Sequence, residues 1–253
     1  MFSQSAARLR RSAQKFGYQV DIYSPTSPPV LQAYRENQHV CNDPSSRGAG
    51  LWVWKPYIIL DALRSGAETV LYTDVAVTVI SDPARLLAVT EARDVSLFQN
   101  RLPDPQSKWC KRDAFVLLNA DNPEEWNRPQ LDAAFIVCRN TPRAIAFLNL
   151  WRDAMKDPRV VTDIPNTCGK SNLDGFVRHL NDQSVLTILA AKAGIQPLPS
   201  PSLSNTIDAP YPQIWHHHKR RNTHPLRQLW WWATGMYDGR WRVPHKAHPK
   251  FWY

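Results

Sequence analysis

The run Thr69-Val70-Leu71-Tyr72-Thr73 is apolar and rich in β-branched residues, and it stops abruptly at the carboxylate of Asp74. Such a run has the composition of a buried strand. In open α/β sheets, ligands bind in the crevice beyond the carboxyl ends of strands, so Asp74 is expected where an acid meets a ligand. Upstream, the glycine stretch Arg47-Gly48-Ala49-Gly50 leads into Trp52-Val53-Trp54-Lys55-Pro56-Tyr57. Pro56 suits a helix start, where its missing N–H would have no intrahelical partner anyway. A glycine loop, two indoles and Lys55 beside a strand-end acid suit a phosphorylated substrate. Buried lysines are rare without a partner, and a phosphate would be one for Lys55.

The rest of the chain alternates helical and strand patterns. Phe2, Ala6, Leu9, Ala13 and Phe16 recur at helical spacing. Strands are expected at Gln19 to Tyr23, Ala76 to Ile80, Val95 to Gln99 and Leu131 to Cys138. Helices are expected after Ser81-Asp82-Pro83, from Thr141-Pro142 to about Lys156, and from Asp182 to the stop at Gly194. Lys111 to Asn119 fits either state. Strands alternating with helices argue for a mainly parallel sheet covered by helices.

No apolar run reaches the roughly 20 residues of a membrane span, and the N-terminus has no apolar core of a secretory signal. Residues Phe2 to Val20 hold arginines and serines without an acid, as a mitochondrial presequence does; their helical spacing favours a helix packed on a core. Cys41, Cys110, Cys138 and Cys168 lack paired metal-site spacing and are expected as reduced thiols of a cytoplasmic protein. The net charge of +9 is concentrated late in the chain: from Gln213 onward eight lysines and arginines face Asp238 alone. The Pro/Ser-rich stretch from Gln196 to Pro212 reads as a linker. The expected organisation is therefore a catalytic domain over residues 1–198 and a linker with a basic aromatic tail over 199–253.

Four segments in order resemble bacterial glycosyltransferases of the GT-A type. They are the Gly-x-Gly-x-Trp-x-Trp-Lys-Pro block with its Tyr-x-Asp strand end (Arg47 to Asp74), Gln130-Leu131-Asp132-Ala133-Ala134-Phe135, the His-x-x-Asp-Gln-Ser motif (His179 to Ser184), and the His-His-basic segment His217 to Asn222. The resemblance spans residues from about Phe2 to Asn222. It implies a GT-A-like α/β fold that takes a nucleotide-sugar donor and a carbohydrate or lipid-linked acceptor, in cell-envelope polysaccharide synthesis. It also implies a strand ahead of the first helix. That helix begins almost at Met1, so either the start is placed late or the sheet lacks its first strand.

In that fold an Asp-x-Asp motif holds a divalent cation, Mn²⁺ or Mg²⁺, that bridges the donor diphosphate. The chain reads Asp74-Val75-Ala76, without the second carboxylate. By the resemblance, Asp74, His217 and His218 are the metal-ligand candidates; neighbouring side chains of an extended segment point opposite ways, so one histidine of the pair is expected to face the site. Donor binding is expected from Arg47, Trp54, Lys55, Asp74, Gln183, Lys219 and Arg221, with Trp52 and Trp54 open to a core role instead. Asp182 and Asp132 are the catalytic or sugar-contacting candidates. An acid at Asp182 also suits a helix start without any function.

The tail leaves two further readings. Trp230-Trp231-Trp232 with flanking cations suits an anionic membrane surface, which would place the enzyme on the inner face of a membrane, or else packing onto the catalytic domain. A nucleic-acid or polyanion-binding module would use the tail through phosphate contacts and base stacking. It leaves Asp74, the glycine loop and the ordered motifs unexplained, so nucleic acid is not the expected partner.

Overall fold

The computed structural model describes residues 2–42, 47–100, 104–202 and 209–217. Helix α1 (Phe2–Gln14) turns Ala6, Leu9 and Ala13 inward, as their spacing requires. The stretch expected as a strand from Gln19 to Tyr23 joins no ladder. Val20 and Ile22 still pack on a core, so their alternation reports inward packing without a partner strand. Helices α2 (Pro28–Glu36) and α3 (Gln38–Cys41) lead to the single turn α4 (Gly48–Leu51). Helix α5 (Lys55–Arg64) starts on Lys55-Pro56 and buries Tyr57, Ile58, Ile59, Leu60 and Leu63.

Strands β1 (Thr69–Thr73) and β2 (Val77–Val79) follow, then α6 (Ala84–Thr90), whose first amide donates to Asp82 Oδ1 at 2.9 Å. Next come β3 (Val95–Gln99), a 3-10 turn (Gln106–Lys108), α7 (Arg112–Leu117) and α8 (Pro123–Asn127). The ambiguous segment from Lys111 is thus helical. The longest strand, β4 (Leu131–Arg139), precedes α9 (Pro142–Ala154), which is capped by the Thr141 side chain. Helices α10 (Pro158–Val161) and α11 (Asp182–Lys192) and strand β5 (Trp215–His217) complete the described chain.

The fold is mixed α/β, but its sheets are small and antiparallel, which corrects the expectation of a mainly parallel sheet. One sheet has the order β1-β4-β3, and β4 runs against both neighbours; β2 and β5 form a second antiparallel pair. Among the described residues the one parallel contact is a bridge between Phe98 and Leu198. The β-branched run marks β1 as a strand, but β1 lies at the sheet edge with only Tyr72 buried, and neither composition nor alternation with helices carries strand direction.

Strand β4 is sandwiched between two cores. Leu131, Ala133, Ile136 and Cys138 face a core built with α5, α9 and α11. Ala134, Phe135 and Val137 face a second core with Leu9 and Ala13 of α1, Val77 and Val79 of β2, and Trp215 of β5. Strict alternation breaks at Ala134-Phe135, two consecutive residues on one side. The ladder breaks there too: Leu97 pairs with Ile136, whereas Phe98 pairs with Asp132. This bulge frees the Ala133 peptide from the β3 ladder. Helix α11 is buried nearly all round from Asp182 to Ala190, which its apolar run Val185 to Ala191 permits.

Candidate active site

Lys55 opens α5 and is 3% exposed. Its Nζ lies 2.8 Å from Asp182 Oδ2 and 3.6 Å from Asp74 Oδ1, and donates to the Ala133 carbonyl at 3.0 Å. The rings of Trp52 and Tyr72 flank it at 5.8 and 5.9 Å. The bulge of β4 is what offers the Ala133 carbonyl, and its amide donates to Gln183 Oε1 at 3.4 Å. Asp132, on the same strand, is 8% exposed and accepts the Ala134 amide at 2.8 Å. Burial pulls the Lys55 ammonium down, but Asp182, Asp74 and Asp132 more than offset it and hold it above its ordinary value. Burial pushes the Asp182 carboxyl up to about 6, against the pull of Lys55.

Asp74 is the most open member of the group, with its side chain 34% exposed. Its amide continues the sheet to Ala134 O at 3.0 Å. Tyr72, two residues earlier on the same strand face, donates its hydroxyl to Asp74 Oδ1 at 2.5 Å. Burial, then Asp74, push the Tyr72 phenol well above its usual range, so it stays a neutral donor.

The segment before α11 is tied down from two sides. Asp113 is wholly buried and accepts the Thr167 amide, at 2.8 Å for the shorter contact, and the Cys168 amide at 2.8 Å. His179 accepts the Lys111 amide on Nδ1 at 3.2 Å and donates from Nε2 to Val160 O at 2.9 Å, so its motif position is structural. Burial, then Lys111, lower its pKa to about 3, leaving a neutral imidazole. Asp182 is the first residue of α11 and Asn181 is its cap, not Asp182.

Arg47, expected to bind the donor, and Lys55, expected at donor phosphate, are engaged inside the protein. One terminal nitrogen of Arg47, Nη2, meets Asp163 Oδ2 at 3.1 Å, His179 O at 3.1 Å and Asn181 Oδ1 at 3.0 Å. The reason for expecting phosphate at Lys55, a buried ammonium in need of a partner, is removed by Asp182. Trp54 donates to Gly48 O at 3.1 Å and packs against the first core. Strand β5 places His217 beside Phe135, ring centroids 5.3 Å apart, and pairs it with Val77 of β2, while Phe135 is in register with Thr73 of β1. His218, Lys219, Arg221 and the tryptophan triplet lie outside the described residues.

Lys55, Asp74, Asp132 and Asp182 are brought together from α5, β1, β4 and α11. Sequence reading missed Tyr72 and Asn181 as parts of this site. Tyr72 carried a signal, since residues two apart on a strand share a face. The Ala133 carbonyl carried none. The four cysteines are free thiols. Among the described residues no three His, Cys, Asp or Glu side chains converge as a metal site, and no helix is long and apolar enough to cross a membrane.

No protein-family model matches the chain, and no curated protein does. Among solved structures it is similar to the crystal structure of mouse xyloside xylosyltransferase 1, apo form. Identity is 11%, the match covers 78% of this chain and 74% of that chain, and the TM-score is 0.40. That likeness is too distant to decide fold or activity.

Proposed function

We propose that the protein is a glycosyltransferase that moves a sugar from a nucleotide-sugar donor to a carbohydrate or lipid-linked acceptor. The observation that carries the reading is one buried ammonium, Lys55, paired with Asp182 and Asp74 and within the electrostatic reach of Asp132, with Asp74 the exposed one at a strand end. Three carboxylates against one lysine leave an excess of negative charge at the mouth. A diphosphate would be repelled there without a cation. A divalent ion fits the donor set only in part: Asp74 Oδ1 is taken by Tyr72 and Lys55, so the ion would be held through the other oxygen, with phosphate and water oxygens completing its shell. Such an ion supplies charge stabilisation to the departing nucleoside diphosphate.

The chain's own residues then have distinct tasks. Tyr72 and Lys55 fix the direction of Asp74. Asp132 and Asp182 are the carboxylates proposed to face the sugar, Asp182 seated by Lys55 and Asp132 by the Ala134 amide. Gln183, at the opening of α11, is proposed to contact the donor. Lys219 and Arg221 are proposed to bring charge to the diphosphate, His217 or His218 to contact it or the ion, and the tail to attach the enzyme to an anionic membrane surface.

The test is calorimetry of nucleoside diphosphates with Mn²⁺, with Mg²⁺ and with chelator. The expected result is tighter binding with metal, lost in Asp74→Asn with the fold intact. Equal affinity with and without metal in the parent protein would remove Asp74 as a metal ligand.

A further inference from the structure

Five consecutive residues, Gly48 to Trp52, have positive φ, from 51° to 86°. Three of them are not glycine, and each such residue is costly in the left-handed region. The turn is held by the Leu51 amide on Arg47 O at 2.6 Å and by Trp54 on Gly48 O at 3.1 Å. It folds the chain so that Arg47 and Lys55, eight positions apart, grip adjacent residues: Arg47 holds Asn181 and Lys55 holds Asp182.

Asn181 is itself in a rare conformation, φ 49° and ψ −116°, and is wholly buried. Both ends of its side-chain amide are used, Oδ1 by Arg47 at 3.0 Å and Nδ2 on Val161 O at 2.8 Å. The same Arg47 nitrogen reaches Asp163, near the start of the segment that ends at Asn181. One guanidinium therefore closes that segment on itself.

We propose that Arg47 is a positioning residue: by holding Asn181 in its strained backbone conformation it fixes Asp182 against Lys55 at the start of α11. The catalytic consequence rests on the role given to Asp182 above; the structural one does not. Without the Arg47 contacts Asn181 relaxes toward ordinary backbone angles and the first turn of α11 loosens. That turn includes the Gln183 amide on Leu180 O at 3.1 Å and the Val185 amide on Asn181 O at 3.2 Å.

The experiment is amide hydrogen exchange on the full chain, paired with steady-state transfer kinetics, for Arg47→Met, Arg47→Lys, Asn181→Gly and Asn181→Ala. In Arg47→Met, exchange at Gln183 to Val185 is expected to rise at least tenfold while α9 is unchanged. Transfer is expected to fall at least tenfold in kcat, with any rise in donor KM, through the loosened Gln183, smaller than the fall in kcat, and Arg47→Lys should recover part of both. Glycine accepts positive φ and alanine does not, so Asn181→Gly should retain more protection and turnover than Asn181→Ala. Unchanged exchange in Arg47→Met would overturn the proposal. So would a raised donor KM at full kcat, which would make Arg47 a donor ligand. If Arg47→Met fails to fold, Arg47→Lys is judged by the same exchange criterion. Absence of transfer in the parent protein would sink the transferase reading, and exchange would still decide the role of Arg47.

Discussion

At the scale of single residues, the site is governed by one ion pair in a place where charges are expensive. Removing one partner of a buried pair leaves the other uncompensated, a loss of about 3–5 kcal/mol. Lys55→Met is expected to lose stability on that order in urea denaturation, and adding Asp182→Asn should restore part of it. A double variant as unstable as the sum of the singles would show that the pair is not coupled. The pH dependence has two opposing parts. His179 is held neutral, its pKa lowered from 6.5 to about 3, so its contribution is present above the unfolded pKa and is lost as pH falls through that window. Between pH 7 and 5 this costs about 2 kcal/mol. Asp182 is raised from 3.8 to about 6, so protonation favours the folded state as pH falls between those values. Asp182→Asn removes that compensation, and its stability should drop more steeply from pH 6 to 4 than the parent's; parallel curves would contradict the assignment. From sequence, a strand-end Asp74 and a Lys55 beside it in need of an anionic partner were legible, because residue type and position carry them; the burial of Lys55 inside the protein was not. The partner of Lys55 was not, because Asp182 arrives from 127 positions away.

Among elements, the glycine turn and the β4 bulge do the positioning. Gly48 needs positive φ, and a Cβ there would lie 2.1 Å from Trp52 Cε2. Gly17 also has positive φ but nothing lies within 4 Å of its Cβ direction. Gly17→Ala should therefore cost about 1 kcal/mol, backbone strain alone, and Gly48→Ala clearly more, since the indole must leave its place. Equal losses by thermal denaturation would mean that Trp52 is not packed on the turn. Helices α1, α5, α6, α9 and α11 and the strands β1, β3 and β4 were readable because their periodicity, start signals or β-branched runs are strong, whereas α2 lay in a proline-rich stretch that read as a turn and the short α3, α4, α8 and α10 carried no pattern. Strand direction was not readable, and neither was the bulge: Ala133-Ala134-Phe135 looks like any buried strand, and the break is fixed by what β3, α5 and α11 place around it.

For the whole molecule, β4 divides two cores and the candidate site lies at the end of the sheet, where Asp74, the bulge and the start of α11 meet. The stretch from Gln196 to Pro212 read as a linker, yet within it Leu198 and Tyr211 pack into the second core; just beyond it, Ile214 and Trp215 do the same. The basic aromatic residues beyond His217 lie outside the described residues. Attraction to an anionic surface is worth about 1 kcal/mol per basic residue close to it and weakens with salt. Truncation after Asn222 is expected to abolish co-sedimentation with anionic vesicles and to spare nucleoside diphosphate binding. Equal sedimentation of the two forms would assign the tryptophans to packing. The central claim, that the carboxylate cluster around Lys55 serves sugar transfer from a nucleotide donor, is tested most directly by release of nucleoside diphosphate from a panel of nucleotide sugars with Mn²⁺. The parent protein should release it from at least one donor, with a rate at least a hundredfold lower in Asp74→Asn, on the order expected for losing one charge-stabilising group. No release from any donor, or the same rate in Asp74→Asn, would contradict it.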